Sequence, residues 1–202
     1  LTVKENSVKG GGIVDLYEAI RKRRTIRKFK GPATEKQLNR IIAAGTQAPS
    51  AGNRQSWEFI IIDDPGLIQK VSTIKYKLNL VYKFPDIEKC QSPEQIAASQ
   101  GPAQRESFAN ASLVMIYHRK RGRFQDASAW LCIENMSLAA VAEGLGLRIA
   151  TFWGKAIGEI NQLLHVPEEF KLAAALSIGV PAEEPVKKIH RQEGSWLHRN
   201  GF

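Results

Sequence analysis

Cysteine is scarce in this chain of 202 residues: Cys90 and Cys132 are its only thiols. They form neither a C-x-x-C pair nor any metal-ligand spacing, so a disulfide framework and a thiolate metal site are both excluded as organising features. Two free thiols in a reducing cytoplasm are expected. Long apolar runs are missing as well. No stretch approaches the ~20 apolar residues that span a bilayer, and the opening "LTVKENSVKGGG" lacks the apolar core of a signal peptide. A soluble, cytoplasmic protein with no membrane partner is expected; with no initiating Met, Leu1 is not expected to be the natural start. Negative charge is in short supply too: 29 Lys and Arg stand against 20 Asp and Glu, a net charge of +9. Such a surplus favours meeting anions without naming the anion.

What is present suits one globular core. The apolar fraction is 43% and the charged fraction 24%, ordinary values for a folded domain. Residues 1–202 read as a single domain, with a glycine-rich flexible arm over 1–12. "DLYEAIRKR" predicts a short helix with Asp15 as N-cap. "GPATEKQLNRIIAAGTQAP" predicts a second, with Thr34 and Gln37 as a capping box, Leu38, Ile41 and Ile42 as its apolar stripe, and Gly45 and Pro49 at its end. "WEFIIIDD" reads as a buried strand and "PGLIQKVSTIKYKL" as a helix. Periodicity fails over 79–105, where an excursion or lid is expected. Then come a strand, "ASLVMIYH", a long helix over 126–145 that is apolar nearly all round, and "LRIATFW" as a strand. "IGEINQLLHV" gives a helix and "FKLAAALSIGV" the last strand.

Four clusters carry the chemistry. In "RKRRTIRKFK" seven Lys and Arg fall within the ten positions from Arg21 to Lys30. They do not share one helical face, and no helix-turn-helix frame surrounds them, so a DNA-reading helix is disfavoured. Arg-Arg-Thr-x-Arg instead joins forked guanidinium donors to a hydroxyl, a set suited to a phosphate or a polar ring edge. "APSAGNRQSW" places Ser50, Asn53 and Gln55 among small residues just before a strand; these are equally the makings of an ordinary turn. "GLGLRIATFWGK" lacks the third glycine and the strand-to-helix context of a dinucleotide fingerprint, and Trp153 there is either a wall beside a planar ligand or plain core. "EEPVKKIHR" puts Lys188 and His190 on one side of an extended segment, or leaves them in a solvated tail.

Taken in order, these stretches resemble the flavin-dependent nitroreductase family. "RRTIRKF" resembles its Arg-Arg-Ser-x-Arg-x-Phe opening, and "APSAGNRQSWEFIII" its Ala-Pro-Ser-x-x-Asn-x-Gln-Pro-Trp segment. "AEGLGLRIATFWG" resembles its Gly-Leu-Gly turn before the flavin, and "LSIGVPAEEPVKKIHR" its closing strand and basic tail. The resemblance runs from about Tyr17 to Arg191. It implies an α+β fold, a mostly antiparallel central sheet flanked by helices, in an intertwined homodimer with FMN in two interfacial grooves.

The resemblance further implies that Arg23, Arg24 and Thr25 bind the FMN phosphate and ribityl chain, with Arg27 at the pyrimidine edge. Pro49, Ser50, Asn53 and Gln55 would reach the flavin from the partner chain. Thr151, Phe152, Trp153 and Gly154 would line one face and N5. Lys188 and His190 would complete the phosphate site, with Arg191 as a substitute, and Gln104 and Ser107 fall near a flavin-ring contact. No catalytic side chain and no metal are implied, because the flavin carries hydride from NAD(P)H to a planar acceptor such as a nitroaromatic or quinone. Ser56 stands where the family has Pro, which implies a less rigid loop. Other flavin chemistry on the same fold, dehalogenation or flavin breakdown, is the alternative. A cofactor-free nucleic-acid-binding protein is a further one.

Overall fold

The computed structural model describes residues 15–83, 106–185 and 194–201. Lys188, His190, Arg191, Gln104, the arm 1–12 and most of the expected excursion therefore lie outside the described residues. Residues 79–83 belong instead to the helix that precedes it.

Ten elements follow in chain order: α1 (Leu16–Lys22), β1 (Phe29–Pro32), α2 (Glu35–Thr46), β2 (Trp57–Ile62), α3 (Pro65–Lys83), β3 (Ser112–Arg119), α4 (Gln125–Ala142), β4 (Gly146–Ala150), α5 (Lys155–Leu163) and β5 (Phe170–Pro181). The expected caps are in place. Asp15 accepts from the backbone N–H groups of Tyr17 and Glu18, and Thr34 and Gln37 close a reciprocal capping box on α2. Gly45, expected as a stop, lies inside α2, where its missing side chain lets α4 approach with Met136 and Cys132.

All four ladders of the five-stranded sheet are antiparallel, as the α+β reading expects. Its organiser is β5, which pairs with β1, β3 and β4. Among the described residues β2 pairs with β3 alone, so the strand read as buried is an edge there, and Ile61 on it is 45% exposed. β4 stops at Ala150, sooner than "LRIATFW" suggested, and β1 had no expectation at all.

A core lies on each face of the sheet. Leu38 and Ile41 of α2 meet Cys132, Ile133 and Met136 of α4 over Val114, Ile116, Leu176 and Ile178. On the other face Val71 of α3 and Ile160 of α5 cover Leu113, Met115, Tyr117 and Ala175, with Phe108 among them. Burial pushes the Cys132 thiol up to about 12, because the low-dielectric core disfavours the thiolate. Along α4 the buried stripe leaves Trp130 and Leu131 open, and on α1 Leu16, Tyr17 and Ile20 are open too. Among the described residues no helix is long and apolar enough to cross a membrane.

The α2 cap gives the first test. Thr34→Ala removes the oxygen that accepts the Gln37 N–H, and unfolding in urea is expected to show a loss of about 1 kcal/mol.

Candidate functional site

The basic segment after α1 is seated by one backbone contact and one missing side chain. Thr25 bridges Leu147 of β4 in parallel, with the Ile26 N–H donating to the Leu147 carbonyl at 3.1 Å. Ile26 is buried directly over Gly146, where a Cβ would fall 2.7–2.9 Å from three Ile26 side-chain atoms. The second glycine of the Gly-x-Gly pair is thus a gap for Ile26 and not part of a phosphate loop.

This places the first group of predicted residues along the outer edge of β4. Arg23 reaches Glu134 of α4 at 3.8 Å. Arg24 folds back so that its Nη1 donates to the carbonyls of Arg21 and Arg23, each at 2.7 Å; that guanidinium caps the end of α1. Thr25 and Arg27 are exposed. The backbone N–H groups of Arg27 and Lys28 both donate to the Glu183 carboxylate, which fixes the turn into β1. The Arg27 guanidinium has no carboxylate partner among the described residues.

At the far end of β4, Thr151–Gly154 leave the sheet. Phe152 is buried and Trp153 is 39% exposed, so both of the readings open for Trp153 apply in part. Gly154 has φ 58° and ψ −137°, a conformation nearly restricted to glycine. A residue that sequence reasoning passed over supports this segment. Lys75 of α3, buried, donates to the Thr151 carbonyl at 2.7 Å and places its ammonium 4.7 Å from the Trp153 ring centre, a cation–π distance. Its signal was a lysine four residues after Val71, on the apolar stripe of α3.

Two buried polar groups sit behind the same edge. Arg148 and Ser177 are register partners in β4 and β5. Neither Arg148 Nη1 nor Ser177 Oγ has a hydrogen-bond partner, and the Arg148 guanidinium lies 4.6 Å from the Phe108 ring centre. Burial, and then the nearby charge of Arg27, bring the Arg148 pKa down to about 10.

The second predicted group, before β2, is a preformed turn. Gly52, Asn53 and Gln55 all have positive φ, at 61°, 50° and 44°, uncommon for the two side-chain-bearing residues. Ser50 Oγ accepts the Gln55 N–H at 3.0 Å, and the Gln55 amide donates to Asn53 Oδ1 at 3.1 Å. Ala51 N–H donates to Ser128 Oγ of α4. Ser56 is buried and hydrogen-bonded to the Gln125 side chain, so the expected loss of rigidity is offset by an anchor to α4. Pro49, Asn53 and Gln55 are exposed.

The two groups are not brought together within one chain. Thr25 bridges Leu147, opposite Ile178, while Trp57 pairs with His118, opposite Lys171. Four strand spacings across the sheet and seven residues along β5 separate them, roughly 25–30 Å. A cleft of about 910 Å³ is lined in part by Lys22, Arg24, Arg40, Glu143 and Glu183 and shares only Arg24 with the predicted set among the described residues. Among the described residues no cluster of His, Cys, Asp and Glu is arranged to hold a metal.

The Gly146 gap is open to test. Gly146→Ala is expected to destabilise the fold by about 1–3 kcal/mol, read in urea, and adding Ile26→Ala is expected to return part of that loss. Two losses that simply add would show that Ile26 is not seated there.

Comparison with known proteins places this architecture. The sequence model of the "Nitroreductase family" matches residues 20–180. An iodotyrosine deiodinase of Thermotoga neapolitana is 25% identical over 181 residues, 88% of this chain and 94% of that protein. A 5,6-dimethylbenzimidazole synthase of Rhodobacter capsulatus is 29% identical over 82% of this chain and 83% of its own length. Among solved structures, oxidised iodotyrosine deiodinase bound to FMN and 3-iodo-L-tyrosine superposes with a TM-score of 0.74 at 24% identity, covering 93% of this chain and all of that one.

Proposed function

This chain belongs to the nitroreductase family, and from that premise we propose that it is an FMN-dependent oxidoreductase working as a homodimer. It takes reducing equivalents from NAD(P)H and passes them to a small planar acceptor, a nitroaromatic or a quinone. The observation that carries the reading is the split site. One polypeptide holds a basic edge at 23–27, seated on β4, and a polar turn at 49–55, too far apart to close on one ligand. A second copy supplies the missing half. The apolar side chains left open on α1 and α4, Tyr17, Ile20, Trp130 and Leu131 among them, are the surface such a copy covers.

The residues present fit the cofactor. The Arg27 guanidinium, with no carboxylate partner among the described residues, offers positive charge and donors to an electron-rich ring edge. Arg23 and Thr25 offer donors to a phosphate and its hydroxylated chain. When bound, FMN supplies hydride chemistry at its N5 atom. Arg27 stabilises negative charge on the pyrimidine side of the ring, and does so more strongly in a partly dry groove than in water. Lys75 holds the Thr151 carbonyl, so the backbone of Thr151–Gly154 keeps one position beside the ring. Asn53 and Gln55 of the other copy, locked by their own hydrogen bonds, complete the polar contacts. No side-chain acid or nucleophile is required, and one open face serves donor and acceptor in turn, so ping-pong kinetics are expected.

A second reading keeps fold and cofactor and changes the acceptor. The relatives named as a deiodinase and a dimethylbenzimidazole synthase favour reductive dehalogenation or another flavin reaction.

Purified protein is expected to be yellow, to release FMN on denaturation, and to bleach anaerobically with NADH or NADPH. Reoxidation by nitroaromatics or quinones supports the first reading; reoxidation by halogenated phenols alone supports the second. A colourless protein that takes up no FMN yet binds DNA with a steep salt dependence overturns both. In the same assays Arg27→Ala is expected to lower FMN affinity or the potential of the bound cofactor, and no change in either removes Arg27 from its role.

A further inference from the structure

One buried donor among the described residues takes no part in the proposed cofactor contacts. Arg148 is 8% exposed, sits in β4 between Leu147 and Ile149, and has an Nη1 with no hydrogen-bond partner. A buried donor left unmade costs about 1–3 kcal/mol, and more when charged. Leu147 and Ile149 turn toward the α2–α4 core, and the alternation of a strand sends Arg148 to the opposite face. There the guanidinium meets three things: the Phe108 ring at 4.6 Å, the unpartnered Ser177 hydroxyl across the ladder, and the like charge of Arg27. No carboxylate is paired with either guanidinium among the described residues.

The positive charge of Arg27 acts on Arg148, and like charges near one another disfavour the charged forms. The backbone carrying Arg27 is held by the Ile26–Leu147 bond and by Glu183, and that of Arg148 by its place in the β4–β5 ladder. The arrangement becomes favourable once an electron-rich group enters. Position along the chain says which one: Leu147, beside Arg148, bridges Thr25, and Thr151 follows three residues later. Arg148 therefore lies between the stretch assigned to the cofactor's hydroxylated chain and the stretch assigned to its N5 side.

We propose that Arg148 is a cofactor-tuning residue: its buried positive charge, behind the edge that Arg27 serves, stabilises reduced FMN more than oxidised FMN without touching the ring. This rests on the FMN reading above. Phe108 lies against the guanidinium, 4.6 Å from it. A purely structural arginine would contribute to folding and leave the two redox forms equally bound.

The experiment compares FMN binding by wild type, Arg148→Met and Arg148→Lys, using fluorescence for oxidised FMN and dye-coupled equilibration for the potential. Arg148→Met is expected to weaken reduced FMN about tenfold more than oxidised FMN, a fall of about 30 mV for a two-electron couple. Arg148→Lys is expected to fall between it and wild type. A folded, FMN-loaded Arg148→Met protein with the wild-type potential overturns the proposal and leaves the family reading intact. A wild-type protein that takes up no FMN overturns both. Should Arg148→Met not fold, the guanidinium nitrogen resonance of wild-type Arg148, assigned by its loss in Arg148→Lys, decides instead. Its displacement on adding FMN supports the role, and an unmoved resonance overturns it.

Discussion

The site depends on Ile26 filling the space that Gly146 leaves empty. With any side chain at 146 that space closes, and the segment carrying Arg23, Thr25 and Arg27 loses its seat on β4. Ile26 is also the one buried residue among the basic run 21–28. Its apolar burial, of the order of 2 kcal/mol for a side chain of that size, works with a single backbone bond to hold several like charges against a strand. Charges that repel one another in water are thereby presented in a row along an edge. Electrostatics then favours an anionic or electron-rich ligand at that edge.

In the proposed dimer the sheet would carry this local seat into a shared site. β5 fixes the register of β4 on one side and of β3 on the other, and β2 at the far edge carries the turn at 50–55. The turn is stiff for its own reasons: Ser50, Asn53 and Gln55 satisfy one another, and Ser56 is tied to α4. Two rigid half-sites at opposite edges of one sheet make sense when two sheets face each other. The same geometry explains why α4 can be apolar nearly all round. One face is core, and the other carries Trp130 and Leu131 at the surface, which the proposed second copy would cover.

Much of this was legible in the sequence, and for identifiable reasons. The α2 capping box, the Asp15 cap and the helix α4 were readable because caps and apolar periodicity are local signals. β1 was not, because "FKGP" has neither alternation nor length; its pairing with β5 is a tertiary matter. The position of β2 was misjudged since a run of isoleucines does not say whether a strand is central or at an edge. The ordered motifs marked 23–27, 50–55 and 151–154 as candidates for the proposed site. They did not give Lys75 or Arg148, each a lone cation inside an apolar pattern, whose meaning emerges only when α3 meets Thr151 and when β4 meets β5. The same holds for Arg24, whose guanidinium caps α1; no pattern of charges reveals where a side chain folds back.

The central claim, that each cofactor site takes its parts from two chains, is tested most directly by mixing. One variant carries Arg23→Ala and Arg27→Ala, the other Asn53→Ala and Gln55→Ala; each alone is expected to bind little FMN. When the two are unfolded and refolded together, half the dimers are mixed and each mixed dimer regains one intact site, so roughly a quarter of the wild-type FMN content is expected to return. Mixed dimers that form and bind no more FMN than the separate variants would contradict the account.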